Sequence, residues 1–377
     1  MRTVTILDSK MKKKHTKQFT FLSAKGLFFI LLATVIILGT LNLLQAKGLF
    51  IPSQPKPLVE NGIVDLDRLT LEQKIAQMTV VLWTPDLIMA WKNLQMGGLY
   101  MYALATENYF KSLIGELQQE MVIPFFITAD AEGCFNPFEN FWDFLPNNKI
   151  TTVGEAFEKG FREGEEMKNL GFNLNFAPVV DLGDEIWKCR SFPGSEVEVA
   201  ELAQAYTLGL QTQGIKATAK HYPGKTLSGK DPHKNIAEAE IEAKDLYPYY
   251  YLIEKGDVSS IMVSHLITTG EVDSKGVPSV VSVEVIEHLK QQFPGLIISD
   301  EIHMLGLKNY YATVDEMYIA LFKAENDLIL NFDKDPNEVY RMIQVIKAAV
   351  EAGDISEDYI DASVKKILEA KGFVVKD

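Results

Sequence analysis

The sequence predicts an α/β protein built as a single (β/α)8 TIM-type barrel, preceded by an N-terminal transmembrane helix. Three observations point there. Eight short apolar runs alternate with helical patterns, ionisable residues gather at the ends of those runs, and an uncharged stretch follows a lysine cluster near the N-terminus. Strand and helix signals in strict alternation are the mark of repeated βα units, and eight such units close a barrel.

Taken in order, residues 1–25 form a basic tail holding Lys10, Lys12, Lys13, Lys14, Lys17 and Lys25. Residues 26–45 follow as an anchor or signal segment, with no charge across the 19 residues from Gly26 to Leu44. That length is about enough helix to cross a bilayer, and the positive-inside rule keeps the lysines cytoplasmic and sends the rest of the chain outside. A cleaved signal peptide, giving a secreted protein, is the competing reading. Its cleavage site wants two small residues, and Leu44-Gln45-Ala46 supplies one. Residues 46–60 read as a stiff linker because Pro52, Pro55 and Pro57 favour extended backbone. The barrel is expected over 61–377.

Its eight runs are Thr79–Trp83, Gly98–Tyr102, Pro124–Asp130, Asn173–Asp181, Lys216–Tyr222, Ser260–Leu266, Leu296–Asp300 and Asp327–Phe332. Between them, Glu196–Gln213 places Val199, Ala200, Leu202, Ala203, Tyr206 and Leu210 at helical spacing before Gly214. Thr152–Leu170 behaves the same way before Gly171, and Ser356 is placed to cap a helix through Ala370. A doubly wound open sheet would show the same alternation, but no glycine-rich phosphate fingerprint follows the first run.

Composition narrows the partners. Of 37 basic and 51 acidic residues, seven and one fall in residues 1–46, so a net +6 tail precedes a net −20 body. A body so acidic lacks the basic face that nucleic acid requires. Only Cys134 and Cys189 are present. Two buried free thiols are the default, and a bridge between them is the alternative that an extracytoplasmic location would permit.

In a barrel, residues at strand C-termini converge on one mouth. The third run ends Asp130-Ala131-Glu132-Gly133, the fourth at Asp181 with Arg190 in its loop, the fifth at Lys220-His221, the sixth at His265 and the seventh at Ser299-Asp300. Any one of these serves as readily to cap a helix or pair a neighbour; five together suggest a site. In the loop after the fifth run, Asp231-Pro232-His233 sets a carboxylate two residues before an imidazole, an arrangement that supports proton transfer near neutral pH.

These motifs, together with Leu69-Thr70-Leu71-Glu72-Gln73-Lys74-Ile75-Ala76-Gln77-Met78 and Asn175-Phe176-Ala177-Pro178-Val179-Val180-Asp181, stand in the order seen in glycoside hydrolase family 3. Within it the chain resembles the single-domain β-N-acetylglucosaminidase branch, over about residues 62–372. The resemblance implies a retaining exo-β-N-acetylhexosaminidase that removes terminal N-acetylglucosamine from extracytoplasmic glycans, peptidoglycan fragments foremost, through a covalent glycosyl-enzyme. It implies Asp300 as nucleophile, His233 as acid/base, Asp231 as its partner, and Asp130, Arg190, Lys220 and His221 as sugar-holding residues. No cofactor or metal is called for, and a monomer is expected.

Two departures bear on this. Cys134 follows Gly133 where the family often has a second glycine and then an arginine, and Lys225-Thr226 replaces the usual His-Gly after Gly224. They keep two other readings open: a phosphorylase, since a histidine acid/base does not repel phosphate, and a membrane-tethered sugar-binding protein with impaired turnover.

Overall fold

A computed structural model describes residues 24–46, 51–227, 229–231 and 234–376, with the first helix's side chains described over 28–41. The chain divides after Gln45 into two compact units. In the first, the described structure is a helix, Ala24–Ala46. Among the described residues, no helix is long and apolar enough to cross a membrane, which corrects the expected transmembrane element. Residues 1–23 of the basic tail lie outside the described residues.

The second unit, Ala46–Asp377, holds the barrel. Its strands are β1 Thr79–Leu82, β2 Gly98–Tyr100, β3 Phe126–Ala129, β4 Leu174–Asn175, β5 Lys216–Tyr222, β6 Ser260–Val263, β7 Leu296–Ser299 and β8 Ile329–Asn331. All pair in parallel, in the order β7-β6-β5-β4-β3-β2-β1-β8. A parallel bridge between Ile298 and Leu328, with Ser299 N donating to Leu328 O at 2.9 Å, draws β7 to the start of β8 and nearly closes the ring. Every residue of β3, β6 and β7 is buried, as strands covered on both faces must be.

All eight expected runs are strands, but the fourth is much shorter than its apolar length. The ladder of β4 stops at Asn175, although Ala177 O and Pro178 O still accept from Thr218 N at 2.9 Å and Lys220 N at 3.1 Å before the isolated Val179–Lys220 bridge. The two long helices match closely. Val153–Leu170 and Glu196–Thr212 both open on capping boxes, Thr152 with Glu155 and Ser195 with Glu198, and Gly171 ends the first in a left-handed conformation (φ +98°). They lie so close that a Cβ on Gly160 would meet the Tyr206 carbonyl, so glycine is required there. Glu357–Ala370 is capped by Ser356 as expected.

The proline-rich segment is docked rather than free. Ile51 is buried in the core, Gln54 N donates to Asn93 O at 2.9 Å, and the Gln95 amide donates to Pro55 O at 2.7 Å. Beyond β5, the loop that carries Asp231 runs into a short strand, Glu238–Ile241, which pairs in parallel with Ile267–Gly270 outside the barrel.

Candidate active site

The site is assembled from the C-terminal ends of the strands. As β3 ends, Asn175 of β4, wholly buried, accepts from Ala131 N at 3.0 Å and donates to Ala131 O at 3.0 Å. One amide thus satisfies both backbone groups of the residue between Asp130 and Glu132, fixing two carboxylates on consecutive turns of irregular chain. Glu132 is fully buried and takes a fork from Arg190, Nε to Oε2 at 2.8 Å and Nη2 to Oε1 at 2.9 Å, while Lys220 Nζ lies 2.5 Å from Oε1. Burial works to raise the Glu132 pKa, but the guanidinium and ammonium overcome it and hold the carboxyl far below its ordinary range. The same pairing overcomes burial at Arg190 and moves its pKa further upward.

Lys220 also binds Asp130, whose second oxygen accepts from the Tyr100 hydroxyl at 2.8 Å. Burial first, and then Asp130 beside it, keep Tyr100 firmly protonated as a donor. His221 is buried with Nδ1 2.9 Å from Asp181 Oδ2, and Asp181 also accepts from His221 N at 3.2 Å and Thr226 N at 2.9 Å. His221 also lines the cavity.

Asp300 follows β7. Its N–H donates to Val263 O of β6 at 3.0 Å, and its Oδ1 accepts from Glu301 N at 2.8 Å. Next to it, Glu301 accepts from His303 N at 2.9 Å, and burial with Asp300 nearby pushes its carboxyl up to about 7. Asp300, Glu301, Asp130, Arg190, Lys220 and His221 all line one cavity of about 510 Å³, whose apolar wall includes Phe176, Met262 and Phe332. A pocket of this size accommodates a sugar ring and part of what is attached to it.

Five of the seven expected site residues therefore meet. Asp231 does not line the cavity; it sits on the loop after β5, with its carboxylate 3.1 Å from Lys234 Nζ. His233 lies outside the described residues. Cys134 and Cys189 are bridged, with Cα atoms 5.7 Å apart, so the two-thiol expectation gives way to the alternative. The aromatic residues of the loop after β3 divide: Phe138 is buried against Phe110, Phe141 and Trp142, whereas Phe135 lines the cavity under the Arg190 guanidinium, 5.0 Å away. His303 makes a local contact, Nε2 to Asn331 Oδ1 at 3.0 Å, and among the described residues no group of three His, Cys, Asp or Glu could hold a metal ion.

Residues 70–370 match the family described as the glycosyl hydrolase family 3 N terminal domain. The chain belongs to glycosyl hydrolase family 3. That is a family of glycoside hydrolases, and this chain's curated relatives carry names to match. Proteins named beta-hexosaminidase from Tolumonas auensis and Haemophilus influenzae are 31% and 30% identical over 56% of this chain, covering 68% and 65% of those proteins. The chain thus spans about two thirds of the length of the curated relatives it matches. A family 3 beta-N-acetylglucosaminidase from Paenibacillus sp. FPU-7 superimposes with a TM-score of 0.75 at 28% identity, over 81% of this chain and 62% of that one.

Sequence reasoning passed over three members of the site. Tyr100 lies inside the second run, Gly98–Tyr102, and only the observed strand, which stops at Tyr100, puts it at a strand end. Glu132 and Asp181 were in view as motif residues, but nothing in the linear order shows that each is a buried hub joining two loops.

Proposed function

We propose that this chain is a retaining exo-β-N-acetylhexosaminidase acting on extracytoplasmic glycans, with terminal N-acetylglucosamine of peptidoglycan fragments as its main substrate. The observation that carries the reading is Asp300 at the end of β7, lining the same cavity as Asp130, Lys220 and Arg190, with Lys220 and Arg190 both paired to the buried Glu132. This lining offers a partly exposed carboxylate and several fixed donors, the set that grips sugar hydroxyls, while the curated relatives' names supply the hexosaminide preference. The Cys134–Cys189 bridge favours an oxidising, extracytoplasmic setting.

In this mechanism Asp300 attacks the anomeric carbon as His233 protonates the leaving oxygen. Water, deprotonated by the same imidazole, then releases the sugar with retained configuration. Asp231 holds the imidazole and supports its charged form. The buried cations Arg190 and Lys220 keep Glu132 and Asp130 in place, so the sugar meets a preformed surface.

Incubation of wild type and Asp300→Ala with an aryl β-N-acetylglucosaminide, with and without phosphate, tests the reading. Wild type is expected to release free sugar independently of phosphate, and the variant to lose at least ~10⁴-fold in kcat with its melting temperature unchanged. Phosphate-dependent release of sugar 1-phosphate would replace hydrolysis with phosphorolysis.

A further inference from the structure

The bridge between Cys134 and Cys189 joins two long irregular loops at the residues that flank the cavity's ion pair. Cys189 immediately precedes Arg190, and Cys134 stands two residues after Glu132 and itself lines the cavity. The covalent link and the Arg190–Glu132 fork therefore run side by side between the loop after β3 and the loop after β4.

Other restraints converge on the same few residues. Asp184 accepts from the N–H groups of Cys189 at 2.9 Å and Arg190 at 2.8 Å, and Arg190 O accepts from the Asn147 amide at 2.7 Å. Phe135, next to Cys134, places its ring under the Arg190 guanidinium and edge-on to Trp187 at 5.2 Å. Gly133 turns the chain between Glu132 and Cys134 at φ +88°, and a Cβ there would meet the Leu145 carbonyl. From 130 to 146 and from 176 to 195 the chain has no helix or ladder strand to stiffen it. A link across two such loops removes their relative freedom.

We propose that the Cys134–Cys189 disulfide is a positioning element for Arg190, so that its redox state sets how tightly the cavity holds its sugar. The inference rests on the reading of Arg190 as a sugar-holding residue. Opening the bridge with a dithiol such as dithiothreitol breaks one protein S–S bond and forms two protein thiols, while the reagent closes to its own cyclic disulfide. Arg190 keeps its pairing with Glu132 in the reduced protein, but the loop carrying it gains freedom that substrate binding must then remove.

The test compares oxidised wild type, dithiothreitol-reduced wild type and the Cys134→Ser/Cys189→Ser variant. KM and kcat are read on an aryl β-N-acetylglucosaminide, and Kd is read by calorimetry with N-acetylglucosamine itself. Both bridge-free forms are expected to show KM and Kd raised about tenfold, with kcat within twofold of the oxidised enzyme. If the variant fails to fold, reduction of the folded protein supplies the same comparison. A lowered melting temperature with KM and Kd unchanged would assign the bridge to stability alone and overturn the proposal, as would free thiols in the oxidised preparation. Redox-sensitive sugar binding without turnover would leave the proposal standing and remove the hydrolase reading; absence of both binding and turnover in the oxidised protein would remove both.

Discussion

The two sides of the barrel mouth are built differently. On the side of β3 and β4, Glu132, Arg190, Lys220 and Asp181 are all buried, each bonded to a neighbour on another loop or strand, and a disulfide ties the loops together. On the side reached by the loop after β5, Asp231 meets Lys234, whose side chain is 75% exposed, through a pair only three residues apart in sequence. The first side is tied by buried charge pairs and a covalent bridge, whereas the second is tied by hydrogen bonds such as Gly229 N to Glu185 Oε2 at 3.2 Å and by an ion pair whose lysine is solvent-screened. Such a division suits a reaction in which one group must both give and take a proton while the sugar stays still.

The comparison can be broken most severely at the loop. His233→Ala is expected to cost about 10²–10⁴-fold in kcat/KM on glycosides with poor leaving groups and about tenfold or less on those that need no proton. Equal losses on both, measured across an aryl glycoside series, would remove the imidazole from the acid role. On the organised side, Arg190→Ala strands the buried Glu132 charge. It is expected to cost about 3–5 kcal/mol in denaturant unfolding, and to raise KM more than it lowers kcat.

Glu301 sharpens the contrast through pH. Its folded carboxyl titrates near 7 while an unfolded one titrates near 4.5, so the native state holds the extra proton between those values. The stability this gives is complete below the unfolded value and is lost as pH rises through about 7. Glu301→Gln keeps the oxygen that accepts from His303 N, so its melting temperature relative to wild type should climb between pH 5 and pH 8, by the equivalent of roughly 2–3 kcal/mol. A gap that is flat with pH would show that Glu301 ionises normally. Lys234→Ala should do least, changing stability by less than about 0.5 kcal/mol in the same unfolding assay.

The barrel was legible because buried parallel strands need apolar residues at every position, and that leaves runs a reader can count. Strand ends were legible too, which is why Asp130, Lys220, His221 and Asp300 could be named from the sequence and found around one cavity. What escaped depends on approach in space. Nothing in the spacing of Cys134 and Cys189 brings their Cα atoms to 5.7 Å, and nothing in Asp-x-Glu-Gly shows that Glu132 takes two cations at once. The strand β4 stops at Asn175 although the apolar run continues to Asp181. The first helix was misread too: an uncharged stretch was counted as a span, whereas among the described residues no helix is long and apolar enough to cross a membrane.

The identity of the nucleophile is tested most directly by covalent trapping. Oxidised wild type, incubated with a fluorinated mechanism-based N-acetylglucosaminide and digested, should yield a single glycosylated peptide modified at Asp300, with none in Asp300→Ala. An adduct on Glu301 or on any other residue would contradict the account.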